Sequence, residues 1–206
     1  MDYDREKRTI RINKELNELD KFAFEFLKIV EKYTEYVIIS GYVSIILGRS
    51  RATEDIDVFI KKISKEKFCK LYKELKKKGF WCLNAEDENE LWDFLESKMA
   101  IRFSKENFPI PNFEVKFPKD YLDRSSFEDK IEVVIKNKIL FISSLERHIA
   151  FKEEYLGSDK DFEDAKHIEE LFREKIDKSK VNKLKELIKR RKENEAKKNF
   201  YEAGQN

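Results

Sequence analysis

A chain of 206 residues is long enough for one or two domains with a real core, and its 44 Lys and Arg against 42 Asp and Glu leave a net charge of only +2. That balance excludes a whole-molecule field that gathers nucleic acid, so any such contact needs a local patch. The two cysteines, Cys69 and Cys82, lack the CxxC spacing of a zinc or redox site and are expected to be reduced and structural. No charged-then-apolar leader opens the chain and no apolar run approaches membrane-spanning length, which predicts a cytoplasmic protein with no membrane partner.

Apolar side chains recur at Leu16, Leu19, Phe22, Phe26, Ile29, Val30 and Tyr33 behind Asn13 as N-cap, which predicts a long helix over 14–33 covering one sheet face. Tyr36 to Ser40 is an apolar, β-rich run. Ser40-Gly41 breaks it and opens a short helix through Val43, Ile46 and Leu47 that Gly48 can close. Strand, tight turn and helix suit a phosphate, because glycine lets backbone approach a ligand and the free N–H groups that follow point at it. Beyond a loop over 49–54, Asp55 to Ile60 predicts a second strand with Ile56, Val58 and Ile60 on one face and Asp55 and Asp57 on the other.

Two carboxylates on one strand face, roughly 6–7 Å apart by the strand rise, repel each other unless a cation lies near them. Hard oxygen donors suit Mg2+, one or two ions of which would complete their shells with water and substrate phosphates. Turn and carboxylates together fit a single ligand, a metal nucleotide. Taken alone, each half is equally a turn glycine or an edge strand that begins with solvated aspartates.

Ser64 to Lys78 predicts a further helix, capped by Ser64 and stopped by Gly79. The acidic loop over 84–90 leads into a short helix over 91–99; Glu86, Asp87, Glu88 and Glu90 lack the spacing and turn glycine of a calcium loop. After Pro109 and Pro111, Phe113, Val115 and Phe117 alternate with Asn112, Glu114 and Lys116, a third strand with one polar face that ends at Pro118. Lys116 on that face is a candidate to neutralise phosphate. A hairpin over 131–135 and 139–142 carries Glu132. Helices follow over 144–156, 159–174 and 178 to about 200, with His148 and His167 as packing or surface residues. In the last helix Lys185, Lys189, Arg190, Arg191, Lys192, Lys197 and Lys198 stand among glutamates, either a solvated face held by i,i+4 pairs or a basic ridge for RNA.

The string SGYVSIILGRSRATEDIDVFI resembles the signature of the polymerase-β-like nucleotidyltransferase superfamily, a GG or GS pair followed at a fixed interval by DxD. Arg51, Thr53, Asp55 and Asp57, as R-x-T-x-D-I-D, are most similar to abortive-infection type (AbiEii-like) nucleotidyltransferase toxins; Ser40 stands where these relatives usually carry the first glycine. The resemblance implies an α/β (α+β) core with a mixed sheet over 1–143, then a C-terminal helical domain over 144–206. It implies transfer of a nucleoside monophosphate from an NTP to an acceptor hydroxyl, on an RNA 3′ end or a protein, with release of pyrophosphate. Asp55, Asp57 and a third carboxylate would hold the metal; the third is carried onto Glu114, with Glu132 the other candidate. Ser40, Gly41, Arg51, Thr53 and Lys116 would meet the nucleotide. The relatives' lysine and their basic-D-x-x-D run resemble Lys152 and Lys160 to Asp164, so Lys152 is expected at the triphosphate, with Asp161 orienting it or taking part in catalysis. A toxin would have a separately encoded antitoxin as partner. Two alternatives stay open: a nucleotide- or RNA-binding adaptor on the same fold, and a small-molecule transferase of the aminoglycoside type. The Lys, Glu and Ile content with a single glutamine resembles hyperthermophile proteins.

Overall fold

The computed structural model describes residues 1–203, and side chains as far as 197, so Lys198 and Phe200 lie outside the described side chains. The chain packs as two units, Met1–Ser143 and a second from Ser144. It begins with two strands that the periodicity does not predict, β1 (Asp2–Asp4) and β2 (Thr9–Ile12), each too short to show alternation. The first helix, α1 (Glu18–Val30), starts at Asn17 and not at Asn13. Asn17 accepts from the Asp20 N–H at 2.8 Å while Asp20 accepts from the Asn17 N–H at 3.1 Å, a reciprocal cap that Asn13 has no partner to make.

Then follow β3 (Tyr36–Ile38), α2 (Gly41–Ile46), β4 (Asp55–Ile60) and α3 (Lys65–Lys77), with Ser64 capping α3 as expected. Next come β5 (Phe80–Cys82), α4 (Glu88–Glu96), β6 (Ile101–Lys105) and β7 (Phe108–Lys116). The acidic loop turns out to be a helix cap, since Asp87 accepts from the N–H groups of Asn89 and Glu90 at 2.9 and 3.0 Å. β7 runs back through both prolines to Phe108; pairing with β4 starts only at Asn112, so neither proline interrupts that ladder. A short helix, α5 (Tyr121–Arg124), and a 3-10 turn over Ser125–Phe127 lead to the hairpin β8 (Ile131–Ile135) and β9 (Lys138–Ile142).

Among the described residues the strands form one mixed nine-stranded sheet in the order β1-β2-β8-β9-β3-β4-β7-β6-β5. Its centre, β3-β4-β7, pairs antiparallel and then parallel. α1 covers one face through aromatic rings: Phe26 stacks on Phe113 at 4.1 Å and meets Phe80 edge-on at 5.2 Å. All three are buried, each contributing about 1.5–3 kcal/mol by the area it removes from water. That packing consumes the Phe113 face of β7, so Asn112, Glu114 and Lys116 project from the opposite one.

The second unit is helical: α6 (Leu145–Phe151), a π-helical turn over Lys152–Leu156, α7 (Asp159–Leu171) and α8 (Lys178–Ala203). Gly157 ends the π turn at φ +69°, and Ser158 and Asp161 cap α7 reciprocally. Leu145, Ile149, Ala165, Ile168, Val181, Leu184 and Ile188 are buried in it. The architecture is the expected α/β class, a mixed sheet followed by helices. No helix among the described residues is long and apolar enough to cross a membrane.

Candidate active site

The turn after β3 is built on a residue in an uncommon conformation. Ser40 has φ 60° and ψ −144°, a backbone region that glycine occupies freely and an L side chain does not. Gly41 is required for a different reason: a Cβ there would lie 1.9 Å from Arg51 Nη2. The guanidinium of Arg51 therefore rests on the bare face of Gly41, which joins two of the expected nucleotide residues. Thr53 fixes the entry to β4 by donating from Oγ1 to the Asp55 carbonyl at 2.9 Å. Ser40→Gly should raise stability by about 1 kcal/mol, because relief of about 1–3 kcal/mol of backbone strain outweighs the greater freedom glycine gives the unfolded chain. Urea unfolding checks this; a loss of stability would mean that the serine hydroxyl holds the turn.

Alternation on β4 puts Asp55 and Asp57 on one face, and the parallel register sets Glu114 directly across from Asp57 and Asn112 across from Asp55. Three carboxylates thus occupy one patch of two adjacent strands. Lys116 reaches back into it, its Nζ 2.9 Å from Asp57 Oδ1 and 3.0 Å from Glu114 Oε1. Arg102 on β6 donates from Nη2 to Glu114 Oε2 at 2.6 Å, and Asn112 Nδ2 donates to Asp55 Oδ1 at 2.8 Å. Burial works against charge on both Lys116 and Glu114, but their partners outweigh it. Asp57 and Glu114 hold the lysine above its ordinary range, while Lys116 and Arg102 hold Glu114 below the usual carboxylate range.

Among the described residues no three Asp, Glu, His or Cys side chains are already gathered as a metal cage. Mg2+ does not need one, since it binds through one or two carboxylates and takes other ligands from water and phosphate. Asp55 and Asp57 provide those oxygens, and the ammonium lodged against Asp57 shows that the place accepts a cation. The residues present fit the group.

No protein-family model matches the chain, and no curated protein matches it. Several solved structures resemble it, among them the following two. One is an antigenic nucleotidyltransferase-like protein from Paracoccidioides brasiliensis, 15% identical, with a TM-score of 0.51 over 85% of this chain and 89% of that one. The other is the antibiotic-resistance factor ANT(2'')-Ia, 14% identical, with a TM-score of 0.55 over 88% of this chain and 99% of that one. The chain has a nucleotidyltransferase fold.

Within this nucleotidyltransferase fold the two candidates for the third carboxylate are not equivalent. Glu114 adjoins Asp57, whereas Glu132 lies on β8, three strands from β4 and so about 14 Å away at the usual strand spacing. Glu114→Gln should lower turnover by about 10²-fold or more, and Glu132→Gln should leave it within a factor of two or so. Single-turnover rates decide; the reverse ranking would remove Glu114 from the site.

Arg102 and Asn112 belong to the site although alternation alone gives them no role. β6 is one of four strands that the periodicity does not predict, and its signal is the two-residue turn Glu106-Asn107, with Asn107 at φ 65°, between two alternating runs. The second unit brings Lys152 and Asp161 together at 2.7 Å and adds Asp164 at 2.9 Å. Lys152 is only 2% exposed, so its ammonium is buried between two carboxylates. Lys152 and Ser158 hold Asp161 below the usual carboxylate range against the opposing effect of burial. On α8, Lys185 and Lys189 pair with Glu153 and Glu154 of the π turn, and only Arg191 with Glu195 is an i,i+4 pair along the helix. Cys69 and Cys82 are free thiols, Cys82 buried, and burial pushes both upward.

Proposed function

We propose that the chain is a metal-dependent nucleotidyltransferase of the polymerase-β-like superfamily, of AbiEii-like type, that transfers a nucleoside monophosphate from an NTP to an acceptor hydroxyl and releases pyrophosphate. The observation that carries this is the register of β4 against β7, which sets Asp57 beside Glu114 with Asp55 on the same face. A fold alone would not require three carboxylates there. Arg51, lying on Gly41, is a cation at the turn suited to the phosphate tail. Asp55 and Asp57 are the residues to hold Mg2+, which when bound supplies neutralisation of the charge that develops at the α-phosphate and on the departing pyrophosphate. In this reading Glu114 takes the proton of the attacking hydroxyl, which its place across from Asp57 and a carboxylate held ionised, against burial, by Lys116 and Arg102 support. Lys152 and Asp161, which the family resemblance connects with the triphosphate, form a single ion cluster with Asp164.

The acceptor in this reading is an RNA 3′ end or a protein hydroxyl, and the biological role that of a toxin held by an antitoxin. Incubation with each α-labelled NTP, Mg2+ and a total RNA and protein extract tests it, with label expected in a macromolecule. Absence of transfer by wild type above the Asp57→Asn level would overturn it. Two observations favour other readings, which the same assay separates. The likeness to an antibiotic-resistance factor favours a small-molecule acceptor, which would put the label in the small-molecule fraction. The lysine already lodged between Asp57 and Glu114 favours an adaptor, which would bind nucleotide and transfer nothing.

A further inference from the structure

The carboxylate patch is almost neutral as it stands. Asp55, Asp57 and Glu114 face Lys116 and Arg102, three negative charges against two positive ones. The two cations are not placed alike. Arg102 donates to Oε2 of Glu114 from a strand beyond β7, whereas Lys116 puts its ammonium between Asp57 and Glu114, on Oδ1 of the carboxylate that would hold the metal. The lysine is well shielded, its side chain 19% exposed and its Nζ 5.9 Å from the centre of the Phe59 ring. A divalent ion on Asp57 and an ammonium 2.9 Å from the same carboxylate would be like charges in close proximity within a partly desolvated site, so the two exclude each other. Lysine also has a flexible four-carbon stem and can swing to another anion. Water is a poor destination for a charge already in two ion pairs, and a triphosphate is a good one.

We infer that Lys116 is a built-in counter-ion that keeps free divalent metal out of the Asp55–Asp57 site, and that a nucleotide admits the metal by drawing the ammonium onto its phosphates. The inference rests on the metal-site reading given above. Its consequence is an order of binding: metal arrives with nucleoside triphosphate or after it, never before. A protein lacking nucleotide then holds no metal-bound water poised for idle chemistry.

Mn2+ binding, followed by calorimetry and by the shift in melting temperature, tests this on the full chain. Wild type and Lys116→Arg, which keeps the charge, should show no binding to Mn2+ alone and clear binding once a non-hydrolysable NTP analogue is present. Lys116→Met keeps the apolar stem and removes the ammonium, leaving Asp57 and Glu114 to repel each other. It should bind Mn2+ alone, at least about tenfold more tightly than the upper bound that the titration sets for wild type, the size of an ordinary coupling between sites. Its melting temperature should rise with Mn2+, which also shows that the variant is folded, and the effect should vanish in Asp57→Asn/Lys116→Met. Equal binding of Mn2+ alone by wild type and Lys116→Met would overturn the counter-ion while leaving the metal site in place. Binding by both only with nucleotide would overturn it too. Binding by neither, with or without nucleotide, would overturn the metal-site reading itself.

Discussion

Asp57→Asn is expected to lower nucleotidyl transfer by about 10³-fold, several kcal/mol of transition-state stabilisation, while the protein stays folded. Asparagine matches the shape of aspartate but lacks the charge that, in the proposed reaction, would hold a metal against the reacting phosphate. The fold is indifferent to the change, because β4 is held by Ile56, Val58 and Ile60 on its buried face and by ladders to β3 and β7. The loss of Asp57 does not strand Lys116, which keeps its 3.0 Å contact with Glu114. Relief of like-charge repulsion and loss of one ion pair oppose each other, so stability should change by no more than about 0.5 kcal/mol, as for substitutions outside a core. Single-turnover transfer from an α-labelled NTP is the measurement, with urea unfolding beside it. A rate within tenfold of wild type would take Asp57 out of the chemistry.

Lys152→Ala is expected to act in the opposite way, on stability. The ammonium lies 2.7 Å from Asp161 and 2.9 Å from Asp164, and the side chains of Lys152 and Asp164 are 3% and 0% exposed. Removing the cation takes one ion-pair partner from Asp164, whose side chain is fully buried, and deleting one partner of a buried pair costs about 3–5 kcal/mol. Neutralising the three together, as Lys152→Met/Asp161→Asn/Asp164→Leu, should recover part of that loss, since apolar packing replaces the ion pairs of Lys152 at little net cost. Urea unfolding of the two variants measures the difference. A loss below about 1 kcal/mol for Lys152→Ala would show that the cluster does not depend on this cation. The neutral triple variant then gives a folded background in which triphosphate affinity tests the role that the family resemblance gives Lys152.

What the chain discloses and what it withholds divide on a physical line. Strict alternation exposes Asp55 and Asp57 on one face of a strand, and Phe113, Val115 and Phe117 opposite Glu114 and Lys116, because the pleat imposes a period of two on any half-buried strand. Alternation states which side a residue faces and not which strand lies beside it. Glu114 and Glu132 therefore look alike until the order β8-β9-β3-β4-β7 places one next to Asp57 and the other three strands off. Three-residue strands such as β5 are too short for any period, and they need partners to exist. Asn13 and Asn17 are the same residue type, and only the carboxylate at Asp20, three residues after Asn17, distinguishes the true cap. Spacing along its own helix does not disclose the partners of Lys152, because Asp161 and Asp164 stand on the next one.

The parallel pairing of β4 with β7 also sets a timetable. Asp55 and Asn112, hydrogen-bonded neighbours in the site, are 57 residues apart along the chain, and Arg8 beside β2 donates to the Glu128 carbonyl across 120. Parallel strands have no tight turn to bring them together, so each pairing must close a long loop before any hydrogen bond repays the lost chain entropy. During synthesis the β3-β4 segment emerges long before β7, and the N-terminal strands wait for β8 longer still. At about 5–20 residues per second, several seconds pass in which a carboxylate pair and open strand edges exist without the neighbours that complete them. Slow, non-local assembly of this kind puts folding in the millisecond-to-second range and makes the unpaired edges of β2 and β4 the hazardous part of the nascent chain.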